Sequence, residues 1–114
     1  MSRSPSSYLH HILDEVHYLI ERSEGVTKSE FLSDETLKRA FVRSLEIIGE
    51  ATKNLPSEFR SENSQIEWRA IAGLRDRLIH GYFGVDYEII WDVIVSKLSN
   101  LESEIEKLLR EYIT

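Results

Sequence analysis

The sequence predicts an all-α protein, an antiparallel bundle of four to five helices in a single domain spanning residues 1–114. Three observations carry this prediction. Apolar residues recur at three- and four-residue intervals through most of the chain, helix-capping signals punctuate those runs, and no useful stretch alternates apolar with polar as a half-buried strand would. A chain of 114 residues can bury roughly two-thirds of its unfolded surface in one core. There is no cysteine, which excludes a disulfide framework and a thiolate metal site.

The elements follow in order. Tyr8, Leu9, Ile12, Leu13, Val16, Leu19 and Ile20 share one face of a first helix from Tyr8 to about Ser23, with Ser6 or Ser7 as N-cap and Gly25 as its stop. Thr27-Lys28-Ser29-Glu30 has the spacing of a capping box and opens a short turn through Phe31 and Leu32. Ser33 or Asp34 then caps a long helix with Leu37, Phe41, Ser44, Leu45, Ile48, Ala51 and Leu55 on one face. Pro56 stops it, lacking the N–H that another turn needs, and Ser57 to Asn63 reads as a polar connection. Ser64-Gln65-Ile66-Glu67 is a second capping box, opening a helix that runs to about His80 before Gly81 and Gly84 loosen the chain. Asp86 caps the last helix or pair of helices. Its seam runs through Tyr87, Ile90, Trp91, Ile94, Leu98, Leu101, Ile105, Leu108 and Tyr112, with Ser99-Asn100 a candidate kink.

The helix from Trp68 to His80 carries the chemistry. Trp68, Ile71, Leu74, Leu78 and Ile79 fall on one side, and Arg75 falls among them. A guanidinium keeps its proton and is costly to bury alone, so Arg75 must meet a carboxylate, a partner subunit or an anion. Arg69, Gly73, Asp76 and His80 line a second stripe, in which Asp76 and His80 are four residues apart and the carboxylate can orient the imidazole for proton transfer. Glycine costs about 1 kcal/mol in a helix interior, so Gly73 implies close approach of a neighbour on this stripe, taken here as a second copy of the chain. Glu50, at the border of the apolar face of the long helix that Pro56 stops, is placed to pair with a buried arginine or, more simply, with Arg43 or a flanking lysine. His10, Asp14, His17 and Glu21 imitate metal-ligand spacing but lie opposite the apolar face of the first helix; they read as solvated surface, and no metal is expected.

Arg75, the polar Asp76, three residues, His80, one residue and Tyr82 form an order that resembles the R-x4-H-x-Y signature of HEPN-domain ribonucleases, the HepT-like toxins in particular. Gly49-Glu50-Ala51, Ile66-Glu67-Trp68, Gly73-Leu74-Arg75-Asp76 and Val85-Asp86 are similar to that family too, and the resemblance spans roughly Tyr8 to Leu109. It implies a toxin of a toxin–antitoxin system, a homodimer with its site at the interface, and endoribonuclease activity without a metal or other cofactor. RNA would be cut by internal attack of its 2′-hydroxyl. His80 would be the general acid or base, Arg75 the phosphate clamp, and Asp76 the residue that orients His80, with Arg69 and Arg77 adding phosphate contacts and Glu50 a candidate support. Tyr82 matches the tyrosine to which a minimal nucleotidyltransferase antitoxin adds AMP. On an ideal helix Arg75 and His80 point about 140° apart, which one helix alone does not reconcile and two converging helices would. The alternative from another class is a non-catalytic nucleotide-binding or substrate-presenting subunit of a nucleotidyltransferase complex. It would need Arg75 and Tyr82 but no proton shuttle at His80.

Charge and targeting narrow the field. A net charge of −6 excludes a general nucleic-acid coat, so any RNA contact must be a local basic patch on an acidic body. The stretch Met1 to Ser7 lacks an apolar signal core and no apolar run is long enough to span a bilayer, so the expected location is cytoplasmic, with no membrane partner.

Overall fold

A computed structural model describes residues 4–81 and 84–113, with side chains placed as far as Glu111. Among the described residues there are six helices and no strand: α1 (Pro5–Ser23), α2 (Lys28–Ser33), α3 (Glu35–Asn54), α4 (Ser57–Glu62), α5 (Trp68–His80) and α6 (Tyr87–Ile113). None is long and apolar enough to cross a membrane.

Four long helices make the bundle. α1 lies in the middle, between α3 and α6, and buries Leu9, Ile12, Val16 and Leu19 completely. α3 carries α5 on its far side, while α2 lies against α3 and α6. α5 therefore packs extensively on α3 alone, and a groove floored by Leu45 and Ile48 remains open between α5 and α6.

The ends of these helices follow from local chemistry. Pro5 opens α1, where its fixed φ suits a helix and its missing N–H costs nothing, so the start lies at Ser4 rather than at the expected Ser6 or Ser7. Gly25 adopts φ +74°, a left-handed conformation that side chains resist, and turns the chain out of α1. The capping box at Thr27 is present in both halves: Glu30 N–H donates to Thr27 Oγ1 at 3.1 Å and Thr27 N–H to Glu30 Oε1 at 3.0 Å. It stabilises a helix of six residues that seats Phe31 between the rings of Phe41 and Trp91, at centroid distances of 5.4 and 5.1 Å. Asp34 caps α3 by accepting from Leu37 N–H at 3.0 Å. Asp86 Oδ1 accepts from Glu88 N–H at 3.0 Å and so caps α6.

Two further expectations differ from the structure, and one open alternative is decided. The connection after Pro56 contains α4, whose one buried side chain, Phe59, is too little to write a periodicity. Asn63 beyond it is buried; its carbonyl accepts from Trp68 Nε1 at 3.0 Å and its amide donates to Phe59 O at 2.8 Å. That indole anchor starts α5 at Trp68, and no side-chain cap from Ser64 forms. Finally, α6 runs unbroken through Ser99-Asn100, so the last element is one helix, although the side chain of Tyr112 lies outside the described residues.

Candidate active site

The site begins with a glycine. At Gly49, α3 and α5 approach so closely that a Cβ would collide with Cβ of Arg75 and lie 2.8 Å from its Cγ and 3.2 Å from the Ile71 carbonyl oxygen. The missing side chain lets the stem of Arg75 cross α3. Its guanidinium then meets Glu50, with Nη2 to Oε2 at 2.7 Å, and Asp76, with Nη1 to Oδ1 at 3.0 Å. Lys53, one turn after Glu50 on α3, donates to the same Asp76 oxygen at 2.9 Å. The need for a carboxylate beside Arg75 is thus met twice, from α3 and from its own helix, and Arg43 pairs with Glu46 at 3.5 Å instead of with Glu50.

Two cations and two carboxylates make this cluster neutral. Arg75 is only 21% exposed, and its Nε is buried without a hydrogen-bond partner. The hydrogen bonds from Lys53 and then Arg75 hold the Asp76 carboxyl below its ordinary carboxylate range.

His80 is elsewhere. It is the last residue of α5, exposed, and makes no hydrogen bond or ion pair with any described residue. It lines a groove of about 630 Å³ with Leu74, Arg77, Val85, Asp86 and Ile89, at the α6 side of α5. Arg75 lines a different cleft, of about 460 Å³, with Tyr8, His11, Ile47 and Asn54 of α1 and α3. The divergence of Arg75 and His80 expected from helix geometry is therefore real within one protomer. Asp76 connects the two sides, bonded to Arg75 while lining the groove of His80.

No hydrogen bond joins Asp76 to His80 in the protomer. Two full positive charges, one of them from α3, claim Asp76 Oδ1, and an imidazole one turn away on the same helix does not compete with them. Nor do Arg69, Arg75 and Arg77 form one patch. Arg69 borders a shallow depression beside α4, Arg77 lies with His80, and Arg75 faces α1 and α3. Tyr82 lies outside the described residues. On α1, His17 pairs with Glu102 of α6 at 3.2 Å, and among the described residues no group of three or more histidine or acidic side chains is arranged to hold a metal. Lys53 was not singled out from sequence; its only local signal is a three-residue spacing from Glu50 on the face of α3 turned toward α5.

An arginine held by carboxylates and an imidazole bonded to no described residue are the equipment for charge stabilisation and proton transfer on a phosphate ester. The family model described as ribonuclease HepT-like matches residues 12–108, nearly the whole helical bundle. The chain belongs to the HepT-like ribonuclease family. This HepT-like ribonuclease is 52% identical over 109 residues to a provisionally named RNase of Caldanaerobacter subterraneus subsp. tengcongensis, an alignment covering 96% of this chain and 97% of the relative. It is 44% identical over 105 residues to a provisionally named RNase of Methanocaldococcus jannaschii, covering 92% of this chain and 87% of that one. A provisionally named ribonuclease HepT of Thermococcus cleftensis is 39% identical over 108 residues, covering 95% and 98%. No solved structure matches the chain significantly. The R-x4-H order carried by Arg75 and His80 thus stands in a chain whose family is a ribonuclease family throughout its length.

Proposed function

We propose that this HepT-like ribonuclease is the toxin of a toxin–antitoxin pair, a metal-independent endoribonuclease that works as a homodimer. The observation that carries the proposal is an Arg75 fixed by carboxylates and a His80 bonded to no described residue, on the two sides of one helix. In the reaction, a base removes the proton of the RNA 2′-hydroxyl and its oxygen bonds to the adjacent phosphorus. The bond from phosphorus to the 5′-oxygen breaks, and that oxygen takes a proton. The products are a 2′,3′-cyclic phosphate and a 5′-hydroxyl. His80 transfers the protons, and Arg75, with its planar fork of donors, stabilises charge on the phosphoryl oxygens. In a dimer, Arg75 of one protomer and His80 of the other can face one phosphodiester, which removes the obstacle of their divergence.

The test is to purify the chain without any partner, incubate it with total RNA in chelator, and examine the new ends. Cyclic phosphates and 5′-hydroxyls are the expected result. No cleavage by unmodified dimeric protein would move the assignment to the binding-subunit alternative.

Gly73 supports the dimer. A Cβ there meets nothing within 4 Å in the protomer, so the glycine has no packing reason inside its own bundle. Leucine at this position is expected to leave the protomer folded and to shift sedimentation from dimer toward monomer; an unchanged assembly would remove the stripe from the interface.

Inactivation by the antitoxin is placed at Tyr82, two residues beyond His80. An adenylate attached there adds a bulky anion two residues in sequence from His80, of the same chemistry as the RNA phosphate with which it would compete. Tyr82→Phe is expected to stay toxic and to escape a co-expressed minimal nucleotidyltransferase. Silencing of that variant through modification at another residue would refute the assignment.

A further inference from the structure

We propose that Lys53 is a positioning residue of the active site: by anchoring the Asp76 carboxylate from α3, it fixes the Arg75 guanidinium where the scissile phosphodiester must meet it. This rests on the ribonuclease reading above. Consecutive residues of a helix point about 100° apart and do not face each other. For the Asp76 carboxylate to turn back onto its neighbour Arg75, something outside α5 must hold it there. Lys53 does so, through the same oxygen that accepts from Arg75 Nη1, at 2.9 and 3.0 Å. Glu50 grips the other terminal nitrogen at 2.7 Å, and the guanidinium is then fixed from both ends by carboxylates tied to α3.

Stability does not account for this arrangement. Lys53 and Asp76 are 40% and 46% exposed, and ion pairs so open to water contribute little to folding. Charge gives a second reason for the lysine. Glu50 and Asp76 together carry two negative charges against the single positive charge of Arg75, and without Lys53 the locus would be negative where an anionic substrate must bind.

The Asp76 carboxyl reports whether the Lys53 contact is made in solution, and the Arg75 guanidinium reports whether that contact positions it. Lys53 of α3 and Arg75 of α5 face it, and Arg77, His80 and Asp86 line the same groove. Its folded pKa lies below the ordinary value, so the ion pairs stabilise the fold above the unfolded carboxyl pKa of about 3.9, and this contribution is lost as pH falls through the folded value. In Lys53→Met the Asp76 titration, followed by carboxyl NMR, is expected to move up toward the ordinary range.

The experiment compares wild type, Lys53→Met and Lys53→Arg for RNA cleavage and for the relaxation of the Arg75 Nε signal. Lys53→Met is expected to lose about 10–100-fold in kcat/KM, chiefly in kcat, the scale of a catalytic group displaced by an ångström. Its Arg75 Nε signal should report a freer guanidinium, and Lys53→Arg should recover most of both. Wild-type kcat in Lys53→Met, with wild type active beside it, overturns the positioning role and leaves the ribonuclease standing. An unchanged Arg75 Nε signal in Lys53→Met overturns it whatever the activity. Inactive wild type brings down the ribonuclease reading, and this proposal with it.

Discussion

His80→Ala is expected to lower RNA cleavage by about 10²–10⁴-fold, the usual contribution of a general acid or base, while the helical spectrum and melting temperature stay those of wild type. The separation of the two effects follows from where the imidazole sits. It is exposed at the last residue of α5 and bonds to no described residue, so its removal opens no cavity and strands no buried partner. The other histidines, His10, His11 and His17, all belong to α1, and the only one of them beside Arg75 is His11, in the cleft on the other side of α5 from the groove that His80 lines. Initial rates on a labelled RNA give the measurement, and equal rates for the two proteins would remove His80 from the mechanism. Mixing His80→Ala with Arg75→Ala subunits sharpens it. If each site takes Arg75 from one protomer and His80 from the other, mixed dimers regain one intact site and part of the activity.

Gly49→Ala carries the second large effect. One methyl group placed against Arg75 Cβ overlaps the root of that side chain, and neither it nor the Ile71 carbonyl can swing away as a side-chain tip would. Overpacking of this kind costs about 1–3 kcal/mol, which for a domain of this size lowers the melting temperature by on the order of 5–15 °C. Activity should fall further than the folded fraction, because α5 moves off α3 and carries Arg75 away from Glu50. A melting temperature within a degree of wild type would contradict this packing. Gly73→Ala makes the contrast for protomer stability: within the protomer its methyl group meets nothing within 4 Å, and alanine gains up to about 1 kcal/mol of helix propensity.

These two glycines show what could and could not be read from the chain. Sequence periodicity marks Gly73 as out of place within its helix and suggests a close neighbour there. Within the protomer the close approach is at Gly49, because which residue of α3 lies opposite Arg75 depends on how the two helices dock, a long-range property, and the neighbour expected at Gly73 is a second copy of the chain. Where the determinant is local, the sequence is sufficient: Thr27 and Asp34 cap as their spacing predicts, and the long apolar faces become the core. α4 escaped notice because Phe59 alone anchors it. The same distinction explains the site. Arg75 stands in an apolar stripe and so needs a carboxylate; Glu50, Asp76 and a residue of a second subunit are the candidates, and the first two both meet it. The spacing of Asp76 and His80 takes no account of Lys53, a partner brought to Asp76 by another helix.

α5 is fastened along one side only, by α3, and faces the open groove on the other. Elements with few neighbours are those that open most easily by local unfolding. The helix that carries both Arg75 and His80 is therefore the one whose amides should exchange with solvent ahead of those of α1 and α3, and the one most slowed by whatever covers the groove. Deuterium uptake along Trp68–His80 thus becomes a gauge of occupancy: whatever covers the groove should be registered first in the backbone of this helix.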